Sequence, residues 1–122
     1  MKKNLNELGE NALNYLSATL FHPSKSIYAY GKVSEKTHQI YQSKREYWCP
    51  CENWLQAGLI ISQEKICLAI DSDDGGQEWQ ARPAWYGVTR FGPTPLIAVV
   101  RCYIASKLGD VIDIPEEYLD DY

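Results

Sequence analysis

Residues 94–109 read Thr94-Pro95-Leu96-Ile97-Ala98-Val99-Val100-Arg101-Cys102-Tyr103-Ile104-Ala105-Ser106-Lys107-Leu108-Gly109, and this stretch decides the fold. A threonine hydroxyl can accept a hydrogen bond from the free amides of a first helical turn, and a proline at the first helical position gives up a donor that would have no partner there. Lys107 sits where the helix dipole is negative, and Gly109 closes the segment. Leu96, Ile97, Val99, Val100, Cys102, Tyr103, Ile104 and Leu108 cover most of the circumference. A helix apolar on nearly every side belongs in the interior, so this one is expected to be the central core helix, packed across a sheet.

The sheet is expected just upstream. The run Lys65-Ile66-Cys67-Leu68-Ala69-Ile70, the turn-forming cluster Asp71-Ser72-Asp73-Asp74-Gly75-Gly76 and the alternating Glu78-Trp79-Gln80-Ala81-Arg82 read as a hairpin. Residues 85–91 extend this to a third strand, with Lys65, Gln80 and Arg82 facing solvent. Asn53 can cap a short helix that follows through Leu55, Gly58, Leu59 and Ile61. Leu5, Leu8, Ala12, Leu16 and Leu20 fall near one face of a first, amphipathic helix over residues 4–20, which ends before Pro23. Ile27 to Tyr30 is strand-like, and the polar stretch 34–46 is either a helix or a mobile excursion. The fold class is therefore α+β: a small antiparallel sheet against a central C-terminal helix, preceded by an N-terminal amphipathic helix. At 122 residues the chain suits a single domain over 1–122, with 115–122 as an acidic tail.

Composition excludes several functions. No apolar run approaches the roughly 18 to 20 residues of a membrane span, and Glu7 and Glu10 interrupt what would be a signal-peptide core, so a cytoplasmic location is expected. The net charge is −4, with seven Lys/Arg against five Asp/Glu in residues 1–61 and five against eleven in 62–122. That distribution offers no basic stripe for duplex DNA; the acidic end reads first as a solvated tail and otherwise suits a basic protein surface.

Four cysteines stand at 49, 51, 67 and 102. Structural zinc takes two close pairs of ligands, and only Cys49 and Cys51 are close, so the candidate metal residues reduce to that one pair and no cofactor is expected. Cys67 and Cys102 read as small buried hydrophobes. The cluster from Asp71 has the alternating carboxylates of a calcium loop, but its twelfth position is Arg82 instead of a closing glutamate, which favours a hairpin turn. Neither His22 nor His38 adjoins a nucleophile, and no phosphate-cradling glycine loop or nucleophile elbow occurs, so the expectation is a binding protein and not an enzyme.

Trp54, Ala57-Gly58-Leu59-Ile60-Ile61, Ile66, Trp79-Gln80-Ala81, Thr94-Pro95-Leu96-Ile97-Ala98, Arg101, Ala105-Ser106, Gly109-Asp110 and Pro115 together resemble the NinX-like family of small bacteriophage and prophage proteins. The resemblance runs over residues 47–117 and shares an N-terminal helix before them. It implies a phage accessory origin and supplies neither an activity nor catalytic residues; an accessory that acts by binding, in host takeover or counter-defence, is the function expected of the chain. Cys49-Pro50-Cys51 and the polar stretch before it depart from the family pattern.

The remaining signal is aromatic density beside arginine. Flat rings stack on bases, guanidinium groups pair with anions, and both residue types are enriched at interface hot spots. Trp54 and Trp79 read as core; Trp48, Arg82, Trp85, Tyr86 and Arg90 are the candidate binding residues. Their first expected partner is a host or phage protein, and the second a nucleotide-like small molecule held in a pocket.

Overall fold

The computed structural model describes residues 2–21, 48–71, 76–84, 87–116 and 119. The expected strand at 27–30 and polar stretch at 34–46 lie outside them, as do Trp85, Tyr86 and the centre of the 71–76 turn. In chain order the elements are β1 (Lys2–Asn4), a 3-10 turn (Leu5–Glu7), α1 (Glu10–Phe21), α2 (Trp54–Glu64), β2 (Ile66–Ile70), β3 (Trp79–Pro83), β4 (Arg90–Gly92), α3 (Pro95–Leu108) and β5 (Val111–Asp113). The architecture is α+β.

The caps read from sequence are formed. The Thr94 hydroxyl accepts a hydrogen bond from the Ile97 amide at 3.2 Å, Pro95 opens α3, and Gly109 follows it at φ 82°. The Asn53 carboxamide accepts from the Gln56 amide at 3.1 Å and starts α2. Lys65 ends α2 in the left-handed region at φ 55°, so it is a helix cap and not the first residue of a strand. The hairpin pairs β2 with β3 antiparallel in the register Leu68–Ala81, and Asp71 N donates to Glu78 O at 2.9 Å beyond it. Ala81 and Pro83 are buried while Arg82 is exposed, the alternation expected of a sheet covered on one side. The third strand is shorter and later than expected: β4 spans only Arg90–Gly92, opposite Ala81–Trp79.

α3 touches almost everything else. Val100 and Ile104 belong to a core with Leu5, Leu8, Leu13, Leu16, Ile112 and Ile114, whereas Val99, Cys102 and Tyr103 belong to another with Trp48, Ile60, Ile66 and Ala81. Each buried valine, leucine and isoleucine among them contributes about 1.5 to 3 kcal/mol relative to exposure. Phe21 stacks on Trp48 at 5.0 Å between centroids and meets Tyr103 edge-on at 6.3 Å.

The N-terminus differs from expectation. Residues 2–4 form a strand paired with β5, the Leu5 amide donates to Asp110 O at 2.7 Å, and α1 starts at Glu10. The Asn4 side chain accepts from the Asn6 amide, closing a tight turn where the leucine spacing suggested continuous helix. Leu5 and Leu8 reach the core all the same, because the turn displays them on the side that α1 uses for Ala12 and Leu16.

Two glycines give opposite expectations. A Cβ on Gly92 would lie 2.7 Å from the Ala98 backbone nitrogen, where β4 abuts α3. Gly92→Ala is expected to destabilise the fold by about 1 to 3 kcal/mol in urea unfolding. A Cβ on Gly58, inside α2, meets nothing within 4 Å, so Gly58→Ala is expected to stabilise by about 0.5 to 1 kcal/mol.

Candidate functional site

The segment 48–51 is pinned to α1 by a rail of buried polar side chains. Ser17 Oγ accepts a hydrogen bond from Trp48 Nε1 at 2.9 Å and donates to Asn14 O at 3.0 Å. Asn14 Oδ1 accepts from the Cys51 amide at 3.1 Å, and Gln56 Oε1 accepts from the Cys49 amide at 2.6 Å. Asn14 and Ser17 lie one helical turn apart, so they face the segment together.

This arrangement corrects the first candidate. Trp48 is 4 % exposed and belongs to the core, not to a working surface. Trp54, expected in the core, is 61 % exposed, and Trp79 is half-buried against the second core. Arg82 is exposed on β3 opposite Cys67. Arg90 is pinned: its Nε and Nη2 donate to Asp110 Oδ1 and Oδ2 at 2.8 and 2.6 Å, and its Nη1 to Thr89 O at 2.6 Å. Arg82 and Arg90 therefore do not share a site with Trp48. Trp85 and Tyr86 lie outside the described residues.

Cys49 is half-buried and Cys51 buried. Burial, and then the nearby Glu52, push the Cys49 thiol up to about 11, and burial followed by Glu10 pushes Cys51 well above the ordinary thiol value. Such thiols are poor thiolates, hence poor nucleophiles and metal ligands near neutral pH. Among the described residues, no group of three or more His, Cys, Asp or Glu is placed to hold a metal ion. Cys102 is buried as expected, with its thiol raised to about 11 chiefly by burial, whereas Cys67 is exposed on β2 and not a core residue.

Two other surfaces emerge. The first is a face of α2: Trp54 at 61 %, Leu55 at 78 % and Leu59 at 49 % exposed, with Gly58 between them at helical spacing. The second is a cleft of about 690 Å³ lined by Arg101 of α3, by Thr89, Arg90 and Phe91 around β4, and by Glu78 just before β3. Pro93 after β4, Asn4 and Asn6 of the N-terminal turn and Asp110 before β5 complete it. Arg101 Nη1 donates to Phe91 O at 2.9 Å, while its buried Nε has no hydrogen-bond partner among the described residues. Burial pulls the Arg101 pKa down from its ordinary value, opposed first by the Glu78 carboxylate.

Neither surface was read as such from sequence. The α2 face was visible only as apolar residues at successive helical positions, indistinguishable from a second buried face. Arg101 carried no signal beyond its place among the family-like residues and its being the one charged residue in the middle of an apolar helix.

The chain matches the protein family described as Bacteriophage P22, NinX over residues 4–107, and it belongs to that family. The family places it among phage-encoded proteins. No curated protein matches the chain. No helix among the described residues is long and apolar enough to cross a membrane.

The thiols give a test. Native protein treated with a thiol reagent at neutral pH is expected to react at Cys67 first, with Cys51 and Cys102 reacting only after unfolding, as read by mass spectrometry of the labelled peptides. Raised thiol pKa values in the folded state also mean that stability is full below the ordinary thiol value of 9.0 and declines as pH rises through about 11. Urea midpoints measured from pH 8 to 11 are expected to fall, and the Cys102→Ala protein is expected to lose less over that range.

Proposed function

We propose that this phage-encoded protein acts by binding another protein in the host cytoplasm, as an accessory in host takeover or counter-defence, and that it does so through the exposed face of α2. The observation that carries this reading is the contiguous apolar set Trp54, Leu55 and Leu59, three large side chains left in water on one helix face. Exposing them costs stability that a solvated polar face would not, and large exposed apolar patches mark interaction sites. Tryptophan is the residue most enriched at interface hot spots. Gly58, with open space above it, lets a partner's backbone approach between Trp54 and Leu59.

The partner this face suits is a protein with an apolar helix or groove and a basic rim. The charge of −4, with eleven acidic residues against five basic ones in residues 62–122, favours a basic partner and speeds its encounter. The nucleotide-like ligand, the second expectation, would use the polar cleft, which shares no residue with this face.

A photo-crosslinking residue placed at position 55, with one at position 82 as control, tests the reading in phage-infected cells. Position 55 is expected to capture one host or phage protein that position 82 does not. The purified partner is then expected to lose about tenfold or more in affinity to a Leu55→Glu/Leu59→Glu variant whose circular dichroism is unchanged. Capture of nothing, or of a second copy of this chain alone, overturns the proposal.

A further inference from the structure

The cleft beside α3 carries an inference of its own, independent of the α2 face. Four ionised side chains line it, and they do not pair symmetrically. Arg90 and Asp110 satisfy each other through two parallel hydrogen bonds, which leaves Arg101 and Glu78. These two sense each other electrostatically, yet form no ion pair with one another, and the Glu78 carboxylate has no hydrogen-bond partner among the described residues. Arg101 spends only Nη1, on the Phe91 carbonyl. Its Nε lies buried without a partner, an arrangement that costs free energy until an acceptor arrives or the side chain turns.

Arg101 therefore offers the remaining hydrogens of its two terminal nitrogens, an edge of the guanidinium that binds two acceptors side by side, while Nε stays inside. Glu78 offers only acceptors when ionised. A simple anion would satisfy the arginine and be repelled by the glutamate, and a cation the reverse. A ligand that satisfies both carries acceptors for the one beside donors for the other, as a neutral ring does when adjacent acceptors stand next to adjacent donors along one rim. A guanine base has that pattern: O6 and N7 accept from an arginine, and the neighbouring N1–H and exocyclic amino group donate to a carboxylate. Phe91, exposed at the same cleft, supplies an apolar surface for a flat ring, and about 690 Å³ exceeds what a nucleoside fills.

We infer that the cleft between β4, α3 and the N-terminal turn binds a guanine nucleoside, with Arg101 reading its acceptor edge and Glu78 its donor edge. Adenine reverses the exocyclic group from acceptor to donor, and so meets Arg101 with a mismatch.

Titration calorimetry of the full chain with guanosine, adenosine and inorganic phosphate tests this. Guanosine is expected to bind about tenfold or more tightly than adenosine, and phosphate alone not to bind or compete. Glu78→Gln is expected to weaken guanosine by about tenfold and to narrow the gap between the two nucleosides. Arg101→Lys is expected to do the same; should that variant fail to fold, Glu78→Gln alone decides, since Glu78 precedes β3 and lies outside both cores. Leu55→Glu/Leu59→Glu is expected to bind guanosine as the unmodified protein does. Equal binding of the two nucleosides, phosphate competing with guanosine, or no binding at all overturns the inference, and none of these outcomes touches the α2 reading.

Discussion

The structure depends on one constraint: α3 has no polar side to give to water except at Arg101 and near its ends. A helix apolar all round must be covered all round, and a short chain can do this only by wrapping other elements on both sides. α1, with the N-terminal turn and β5, covers the side of Val100 and Ile104, while α2 and the three-stranded sheet cover Val99, Cys102 and Tyr103. The two cores are thus two coats on one rod. The short β1–β5 pair follows from the same demand, because it closes the chain's beginning over the end of α3 and brings Leu5 and Ile112 into one cluster.

Covering α3 brings polar groups inside, and the chain satisfies them locally. The segment 48–51 crosses α1 where Asn14 and Ser17 face it, and Trp48 Nε1 and the Cys51 amide both find acceptors there. A buried tryptophan needs such an acceptor for its N–H, and a buried amide costs more unpaired than any other choice at that place. Cys49-Pro50-Cys51 is thereby part of the scaffold. Its thiols sit in a protonated, unreactive environment created by burial and by Glu52 and Glu10.

Arg101 is the exception on α3. It lines the polar cleft together with residues of β4 and the N-terminal turn. Gly92 allows β4 to approach α3 within backbone contact, so the Phe91 carbonyl reaches the guanidinium. The Arg90–Asp110 pair joins β4 to the residues that lead into β5, which fixes the cleft's outer wall. The α2 face, by contrast, is a convex surface of a helix whose opposite side, Ala57 and Ile60, is already packed.

Sequence alone determined the parts whose free energy is local. Thr94, Pro95 and Gly109 bound α3, Asn53 starts α2, and the alternation around Leu68 and Ala81 sets the hairpin, because caps, turns and the periods of 3.6 and 2 act between residues a few positions apart. Phage kinship was legible there too, in the run from Pro95 to Asp110. Only the tertiary structure decided which tryptophan is buried, since Trp48 gains its acceptor from Ser17, 31 residues away, while Trp54 at the start of α2 stays exposed. It also decided that Arg90 is fully engaged while Arg101 keeps an unpartnered Nε among the described residues, and that Leu5 leads a turn and not a helix. Each of these turns on a partner distant in the chain, whose position depends on how the two sides of α3 are covered and leaves no periodicity to read.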